Sequence, residues 1–213
     1  MKYKAVLFDL DGTLVYTLPE YRYLTVGKTL RELGVSCSEH LMDMFWFRGD
    51  RDSIIQEHFG IKPDLFWKSF RKYDNPKLRA EMTKPFEDID FLNELRSKDY
   101  KLGIVTGAPV NIAYPEIELI GKDNFDAIVI ASGSNGITPK PHPHGVLECL
   151  SMLGIKNRRS IGVGNSDEDI EAFVSAGVYD VLVDRKEHEY PLIPARVIIN
   201  SLYELREILK LTE

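Results

Sequence analysis

A chain of 213 residues, 44% of them hydrophobic and 28% charged, has an ordinary soluble globular composition and is long enough for one domain or for a domain with a smaller lobe. The formal net charge is −6 and no basic block occurs, so we expect binding neither to nucleic acid nor to an anionic membrane surface. The two cysteines, Cys37 and Cys149, form no CxxC pair, which argues against a disulfide framework or a zinc site. Without a signal-peptide pattern or an apolar stretch of spanning length, the protein is expected to be cytoplasmic.

The first predicted element is a short buried strand over residues 3–8, an apolar run that ends at a turn containing Gly12. Asp9 and Asp11 follow this strand directly. At the carboxyl edge of an open α/β sheet, where ligands bind, two like charges this close require a cation between them or the protonation of one. The pair therefore indicates a hard metal site, a proton-transfer pair or both. The remaining alternative is an Asp-rich turn that caps the strand.

The next segment, residues 15–79, has no convincing strand pattern and is punctuated by glycine and proline. Helical patterns within it predict a helical cap domain of residues 15–79, inserted into a core domain of residues 1–14 and 80–213. A lobe over an active edge can exclude water and select substrates. Within this lobe Arg48 and Arg51 are either solvated surface side chains or contacts for a second anionic group on a substrate.

From about residue 80 onward, short β-branched runs alternate with amphipathic helical stretches. This alternation predicts an α/β fold, a Rossmann-like, doubly wound parallel sheet with helices on both faces. The last helix is expected to begin with a capping box from Ser201 to Glu204. The predicted strands are 102–105, 127–130, 160–163, 180–183 and 196–199.

Two polar sites follow strands of this second part. Thr106 and Gly107 come after one strand, where a hydroxyl and a backbone N–H can donate to an anionic oxygen. Lys140 lies between Pro139 and Pro141, which stiffen the backbone around the cation. A threonine after a strand and a solvated lysine are both common, so each site alone is a weak signal. Together they predict a place where a phosphate is bound.

A third site is the acidic segment Gly164–Asp169, which follows a predicted strand and opens a helix. Acids in the first turn of a helix complement the helix dipole. Beside Asp9 and Asp11, the same acids can instead complete an oxygen-ligand set for Mg²⁺. Both interpretations remain open from the pattern alone.

The four sites, in this order and across the whole chain, resemble the motifs of the haloacid dehalogenase-like (HAD) superfamily of hydrolases, in its phosphoglycolate phosphatase-like branch with a helical cap. The segment around Lys140 is similar to the Lys-Pro-x-Pro form of the third motif. The dehalogenases that give the family its name lack the second acid of the first motif, as do phosphonoacetaldehyde hydrolases. Because Asp11 is present here, the resemblance implies phosphate-ester chemistry on a small-molecule substrate.

The resemblance also implies a role for each residue. Asp9 is expected to attack phosphorus and form an aspartyl-phosphate, and Asp11 to protonate the leaving group and then activate water. Thr106, Gly107 and Lys140 are expected to bind the phosphate.

The expected cofactor is Mg²⁺, with ligands drawn from Asp9, Asp11, Asn165 and Asp169. The fourth motif departs from the family pattern, since Asn165 stands where the family usually has an aspartate. We therefore expect a weaker metal site, with Asp169 or Asp167 compensating directly or through water.

Three functions are compatible with these motifs. The first is a Mg²⁺-dependent phosphatase acting on small phosphomonoesters. The second is a phosphomutase of the same fold, similar to beta-phosphoglucomutase, in which the phospho-aspartate passes its group to a hydroxyl instead of water. The third is a non-catalytic metabolite-binding relative, an alternative motivated by Asn165. The retained residues Asp9, Asp11, Thr106 and Lys140 argue against the non-catalytic alternative. The motifs alone do not separate the phosphatase from the phosphomutase, and we rank the phosphatase first.

Overall fold

The computed structural model describes residues 2–188 and 194–211. These residues fall into two compact units, of which the first lies within Met1–Tyr16 and Pro85–Glu213 and the second is Thr17–Lys84. The strands, numbered along the chain, are β1 (Ala5–Phe8), β2 (Val15–Thr17), β3 (Thr83–Pro85), β4 (Lys101–Thr106), β5 (Ala127–Ile130), β6 (Ser160–Gly164), β7 (Tyr179–Val183) and β8 (Val197–Ile199). The α-helices are α1 (Pro19–Glu32), α2 (Glu39–Phe47), α3 (Arg51–Glu57), α4 (Pro63–Tyr73), α5 (Pro76–Glu81), α6 (Phe91–Ser97), α7 (Val110–Leu119), α8 (His144–Leu153), α9 (Asp167–Ser175) and α10 (Leu205–Leu209). Within residues 2–188 and 194–211, no helix has the length and apolar character that a membrane span requires.

The first unit is built around a six-stranded parallel sheet in the order β5-β4-β1-β6-β7-β8. At its centre, Val6 of β1 pairs with Leu102 of β4 and with Ile161 of β6. The chain moves outward through β4 and β5 and then returns to the other side of β1. Such a reversal creates the crevice beyond the strand ends where open α/β sheets bind ligands. The predicted α/β, doubly wound parallel sheet is confirmed.

Both faces of this sheet are buried, because successive side chains of a strand point to opposite faces. Val6 and Phe8 belong to a core that also contains residues of α6, α7 and α10. Ala5 and Leu7 belong to a second core that contains residues of α8 and α9. All four side chains are fully buried. The central strand is thereby fixed on both sides, which makes its carboxyl end a rigid place for a reactive group.

The second unit is helical and has an aromatic core of its own. Phe45 of α2 lies at its centre, with a centroid separation of 4.9 Å from Phe66 of α4. Phe59 and Phe70 pack against the same rings, and all four phenylalanines are buried. On α1, the buried side chain of Arg22 forms an ion pair with the partly exposed carboxylate of Asp43 on α2. This unit therefore has the interior of an independently packed helical lobe.

The boundaries between the units differ from the predicted ones. The core segment extends to residue 16 and resumes at 85, whereas residues 14 and 80 were expected. The expectation of no strand in 15–79 is wrong at Val15–Thr17, which forms β2 and pairs with β3. A three-residue strand is too short for an alternating pattern to be recognised in the sequence. A 3.0 Å hydrogen bond between the buried hydroxyls of Thr17 and Thr83 connects these two strands.

Candidate active site

Asp9 is the residue that follows the central strand. Its backbone N–H donates to the carbonyl oxygen of Val163 on β6 at 2.9 Å, which continues the parallel pairing one residue beyond β1. Only 5% of the residue is exposed. A carboxylate in this position is costly unless it is paired, because burial in a medium of low polarity disfavours its charged form.

Lys140 provides that partner. Its Nζ lies 2.5 Å from Oδ1 of Asp9 and 2.5 Å from Oδ1 of Asp169, and it also donates to the carbonyl oxygen of Val105 at 3.2 Å. The lysine side chain is 9% exposed. The structure thus brings three of the predicted site residues into one buried cluster, in which a single ammonium group faces two carboxylates.

The charges in this cluster do not balance. Burial, followed by the negative charge of Asp169, raises the pKa of the Asp9 carboxyl above its ordinary value, although Lys140 opposes the shift. Burial alone would lower the pKa of Lys140, but the carboxylates of Asp169 and Asp9 outweigh it and keep the ammonium charged. The cluster therefore carries an excess of negative charge that a further cation would relieve.

The second oxygen of Asp169 is committed to the start of α9. Oδ2 accepts hydrogen bonds from the backbone N–H of Asn165 at 3.2 Å, and from the backbone N–H and the hydroxyl of Ser166 at 3.1 and 2.7 Å. The Ser166 hydroxyl oxygen in turn accepts from the Asp169 N–H at 3.3 Å, which completes a capping box. A Cβ at Gly164 would lie 2.4 Å from Cβ of Asp169, so only glycine permits this approach. Asp169 thus connects Lys140 to a fixed helix start.

Asn165 lies against the loop after β1. Its side-chain Oδ1 accepts a 3.3 Å hydrogen bond from the hydroxyl of Thr13. Gly12, at φ +76°, occupies the left-handed region, and a Cβ there would lie 2.2 Å from Nδ2 of Asn165. Asp11, in the same loop, is half-buried. The loop from Asp9 to Thr13, which contains the predicted residues Asp9 and Asp11, and the predicted Gly164–Asp169 segment are therefore neighbours.

Thr106 is the last residue of β4, the strand beside β1, and Gly107 follows it. Thr106 is 1% exposed, and its hydroxyl oxygen accepts a hydrogen bond from the Ala108 N–H at 3.1 Å. That contact uses the oxygen as an acceptor and leaves the hydroxyl proton available for donation. Gly107 is exposed. Lys140 reaches the same strand end through the carbonyl of Val105.

Arg48 and Arg51, the two predicted specificity residues, belong to the second unit. The Arg48 guanidinium donates to both carboxylate oxygens of Asp50 at 3.0 and 2.7 Å. Arg51 donates to the carbonyl oxygen of Trp46 at 3.2 Å. Both guanidinium groups therefore have partners within their own unit, and their role in substrate selection stays a prediction.

Sequence analysis missed three residues that build the site. Ser166 could have been found, because a serine three positions before an acid at a helix start is a capping-box pattern. Thr13 follows the predicted turn at Gly12, but no local pattern indicates its contact with Asn165, which lies 152 residues away. Arg185 has no local signal at all, because its contact with Thr13 spans 172 residues of sequence.

Comparisons with known proteins identify the family of this chain. A family model described as haloacid dehalogenase-like hydrolase matches residues 6–183. Phosphoglycolate phosphatase from Aquifex aeolicus is 29% identical over 185 residues, which cover 84% of each chain. Pyrophosphatase PpaX from Listeria welshimeri is 30% identical over 178 residues, which cover 80% of this chain and 78% of the relative.

The fold has counterparts among solved structures. The crystal structure of a predicted phosphatase from Clostridium acetobutylicum superposes with a TM-score of 0.81 at 22% identity, covering 99% of this chain and 100% of the other. The predicted resemblance and the predicted enzyme class are confirmed by these relatives, which include proteins named as phosphatases. This chain belongs to the family of haloacid dehalogenase-like hydrolases.

Proposed function

We propose that the protein is a Mg²⁺-dependent phosphatase that hydrolyses small-molecule phosphomonoesters through an aspartyl-phosphate on Asp9. The observation that carries the proposal is the buried cluster in which Lys140 lies 2.5 Å from the Asp9 carboxylate at the carboxyl end of the central strand. Relatives named phosphoglycolate phosphatase and pyrophosphatase support phosphate chemistry.

Asp9 acts as the nucleophile in this proposal. One of its oxygens attacks phosphorus as the ester oxygen leaves, and water later cleaves the acyl-phosphate, so that one difficult displacement becomes two easier ones. An anionic carboxylate and an anionic phosphate repel each other. Lys140 offsets part of this repulsion, and because it is buried its charge is little screened by water.

Asp11 acts as the general acid and base. It first protonates the leaving alkoxide and then accepts a proton from the attacking water, a role that contributes roughly 10²–10⁴-fold to the rate. Asp11 is half-buried, whereas Asp9 is 5% exposed. The greater access to water suits a group that must exchange its proton in each turnover.

Thr106 and Gly107 hold the oxygens of the transferring phosphoryl group. The Thr106 hydroxyl accepts from Ala108 and keeps its own proton to donate, and the exposed Gly107 has no side chain that would block approach to its backbone N–H. Donors fixed at a strand end require little reorganisation as charge develops on phosphorus.

The residues present fit a Mg²⁺ ion. Among residues 2–188 and 194–211 no three His, Cys, Asp or Glu side chains form a group that could hold a metal. Mg²⁺ does not require such a group, since it is usually bound by one or two carboxylates together with water and substrate phosphate. The proposed donors are the Asp9 carboxylate, the Asp11 main-chain carbonyl and the Asn165 amide oxygen. When bound, the ion supplies positive charge to a cluster with excess negative charge.

Asp169 has a different proposed role. One of its oxygens accepts from Lys140, and the other accepts three hydrogen bonds at the start of α9. This arrangement favours the positioning of Lys140 over direct ligation of the metal. The helical unit Thr17–Lys84 is proposed to act as the cap that selects the substrate, with Arg48 and Arg51 as its candidate anion contacts.

A panel of metabolite phosphates tests the proposal. Wild-type protein and an Asp9→Asn control are incubated with p-nitrophenyl phosphate, 2-phosphoglycolate, pyrophosphate and a hexose 1-phosphate, with Mg²⁺ or with chelator. We expect release of inorganic phosphate that requires both Mg²⁺ and Asp9, and mass spectrometry of trapped protein that places the phosphoryl group on Asp9. Isomerisation of the hexose phosphate without release would indicate a mutase instead. Release no greater than in the control would indicate a non-catalytic binding protein.

A further inference from the structure

Arg185, the second residue after β7, lies inside the first unit and not on its surface. Its side chain is 6% exposed. The guanidinium donates twice to the carbonyl oxygen of Thr13, from Nε at 3.2 Å and from Nη2 at 2.6 Å. It also donates to both carboxylate oxygens of Asp88, from Nη1 at 2.7 Å and from Nη2 at 3.0 Å. One planar cation thus joins a loop carbonyl to a buried carboxylate.

Besides its contacts with Arg185, Asp88 is held in place by two further hydrogen bonds. Its Oδ2 accepts hydrogen bonds from the hydroxyl of Ser201 at 2.8 Å and from the backbone N–H of Leu202 at 2.7 Å. The ring of Phe86 lies 4.1 Å from the guanidinium carbon of Arg185. With two fixed neighbours and a stacked ring, Arg185 has little freedom to move, so it can serve as a rigid support for whatever it binds.

Arg185 binds the loop that carries the proposed catalytic residues. Thr13 is the last residue of the Asp9–Thr13 motif and is fully buried. Its carbonyl accepts from Arg185, while its hydroxyl donates to Oδ1 of Asn165. Through its contacts with Thr13, Arg185 therefore restrains both proposed sides of the site, the loop that carries Asp9 and the segment that carries Asn165.

We propose that Arg185 is a positioning residue, which acts through Thr13 to hold the Asp9–Thr13 loop in its reactive geometry. The inference rests on the proposed phosphatase function for its catalytic consequence. Displacing reacting groups by about 1 Å can cost about 10²-fold in rate, even when the change is remote from the chemistry. The planar fork of arginine is what allows simultaneous contact with Asp88 and Thr13, and the compact ammonium of lysine cannot reproduce it.

The test compares Arg185→Lys with Arg206→Lys. Arg206 makes a similar forked contact, with both carboxylate oxygens of Glu94, and stacks on Phe91 and Tyr203 without contacting the loop. Two quantities are measured for each variant: kcat and KM for phosphate release, and hydrogen–deuterium exchange of the backbone amides of residues 10–15. The exchange measurement does not depend on turnover.

For Arg185→Lys we expect kcat to fall between about tenfold and 10²-fold. KM should change by no more than about twofold, because the interaction lost supports the transition state and not ground-state binding. Exchange at residues 10–15 should become faster. The control should alter neither quantity. Should Arg185→Lys fail to fold, Asp88→Asn keeps the bonds to Thr13 but weakens their support, and the same changes are expected with smaller amplitude.

Three results would overturn the inference: unchanged exchange at residues 10–15, faster exchange with an unchanged kcat, or equal effects in the Arg206→Lys control. Absence of phosphate release from the wild-type protein is a separate outcome, because it overturns the proposed function. In that case the exchange comparison still decides whether Arg185 holds the loop.

Discussion

Two ion pairs of similar length, one in each unit, differ greatly in burial. Lys140 and Asp9 lie 2.5 Å apart, and their side chains are 9% and 8% exposed. Arg48 and Asp50 lie 2.7 Å apart, with exposures of 33% and 44%. Water screens the second pair, and such a contact typically contributes about 0–1 kcal/mol. In the first pair, removal of one partner leaves an uncompensated charge in a buried place. The distance alone therefore does not indicate what an ion pair contributes.

The first unit contains two buried charge clusters, around Lys140 and around Arg185, which differ in whether their charges balance. Lys140 faces two carboxylates and leaves excess negative charge, which is useful only where a further cation will bind. The pair of Arg185 and Asp88 is neutral as a unit and fully hydrogen-bonded. The first arrangement is suited to chemistry and the second to structural support. Both arrangements contact the same loop, at Asp9 and at Thr13.

The largest effect is expected from removing the charge of Lys140. In Lys140→Met the two carboxylates lose the ammonium group that lies between them, and we expect kcat for phosphate release to fall by about 10²–10³-fold. Lys101→Met is the matched control, since Lys101 is 53% exposed in its pair with Asp126. Steady-state kinetics with p-nitrophenyl phosphate measures both. Similar losses in the two variants would mean that burial is not what distinguishes Lys140.

The largest effect on the free energy of unfolding is expected from the substitution of Asp88. Burial opposes the charge of Asp88, but Arg185 and the backbone N–H of Leu202 outweigh it and hold the pKa of this carboxyl below its ordinary value. We expect Asp88→Asn to lower the free energy of unfolding by about 3 kcal/mol at neutral pH, because it leaves a buried guanidinium without its counter-charge. Asp50→Asn, the exposed counterpart, should cost less than about 1 kcal/mol.

The pH dependence gives this prediction a second readout. A carboxyl with a depressed folded-state pKa contributes stability that is fully present above its unfolded pKa of about 3.9 and is lost as the pH falls through the folded value. Urea unfolding should therefore show wild-type stability that decreases below about pH 4, where Asp88→Asn should decrease less steeply. Parallel pH profiles for the wild-type protein and Asp88→Asn would contradict a lowered pKa of Asp88 in the folded protein.

Smaller changes in activity are expected from substitutions in the proposed Mg²⁺ ligand set. Asn165→Asp keeps the shape of the side chain and an acceptor for the Thr13 hydroxyl while adding a charge. If Asn165 binds Mg²⁺, the concentration for half-maximal activity should fall by about tenfold, since metal affinity rises with the charge of the ligands. Asn165→Ala should shift it in the opposite direction. An unchanged requirement in both variants would remove Asn165 from the proposed ligand set.

Features that depend on residues close together in the sequence could be predicted, whereas those that depend on contacts between distant segments could not. The sheet strands could be predicted because β-branched runs bounded by turns are local patterns, whereas β2 is three residues long and has no such pattern. Asp9, Lys140 and Asp169 could be predicted as candidates from motifs that follow strands. The division of Asp169's two oxygens between Lys140 and α9 could not, because it depends on how two distant segments pack. Nor could Arg185, whose partners lie 97 and 172 residues away.

The smallest effect is expected from the exposed pair. Exchanging its charges, as Arg48→Asp with Asp50→Arg, keeps an ion pair on a well-solvated surface and should change the free energy of unfolding by less than about 0.5 kcal/mol. The same exchange moves positive charge by two residues along the second unit. If Arg48 contacts an anionic group of the substrate, KM for an anionic substrate such as 2-phosphoglycolate should rise while that for p-nitrophenyl phosphate does not. Equal KM values in the exchanged and wild-type proteins would leave Arg48 as a surface residue and transfer the proposed anion contact to Arg51, tested by Arg51→Met in the same assay.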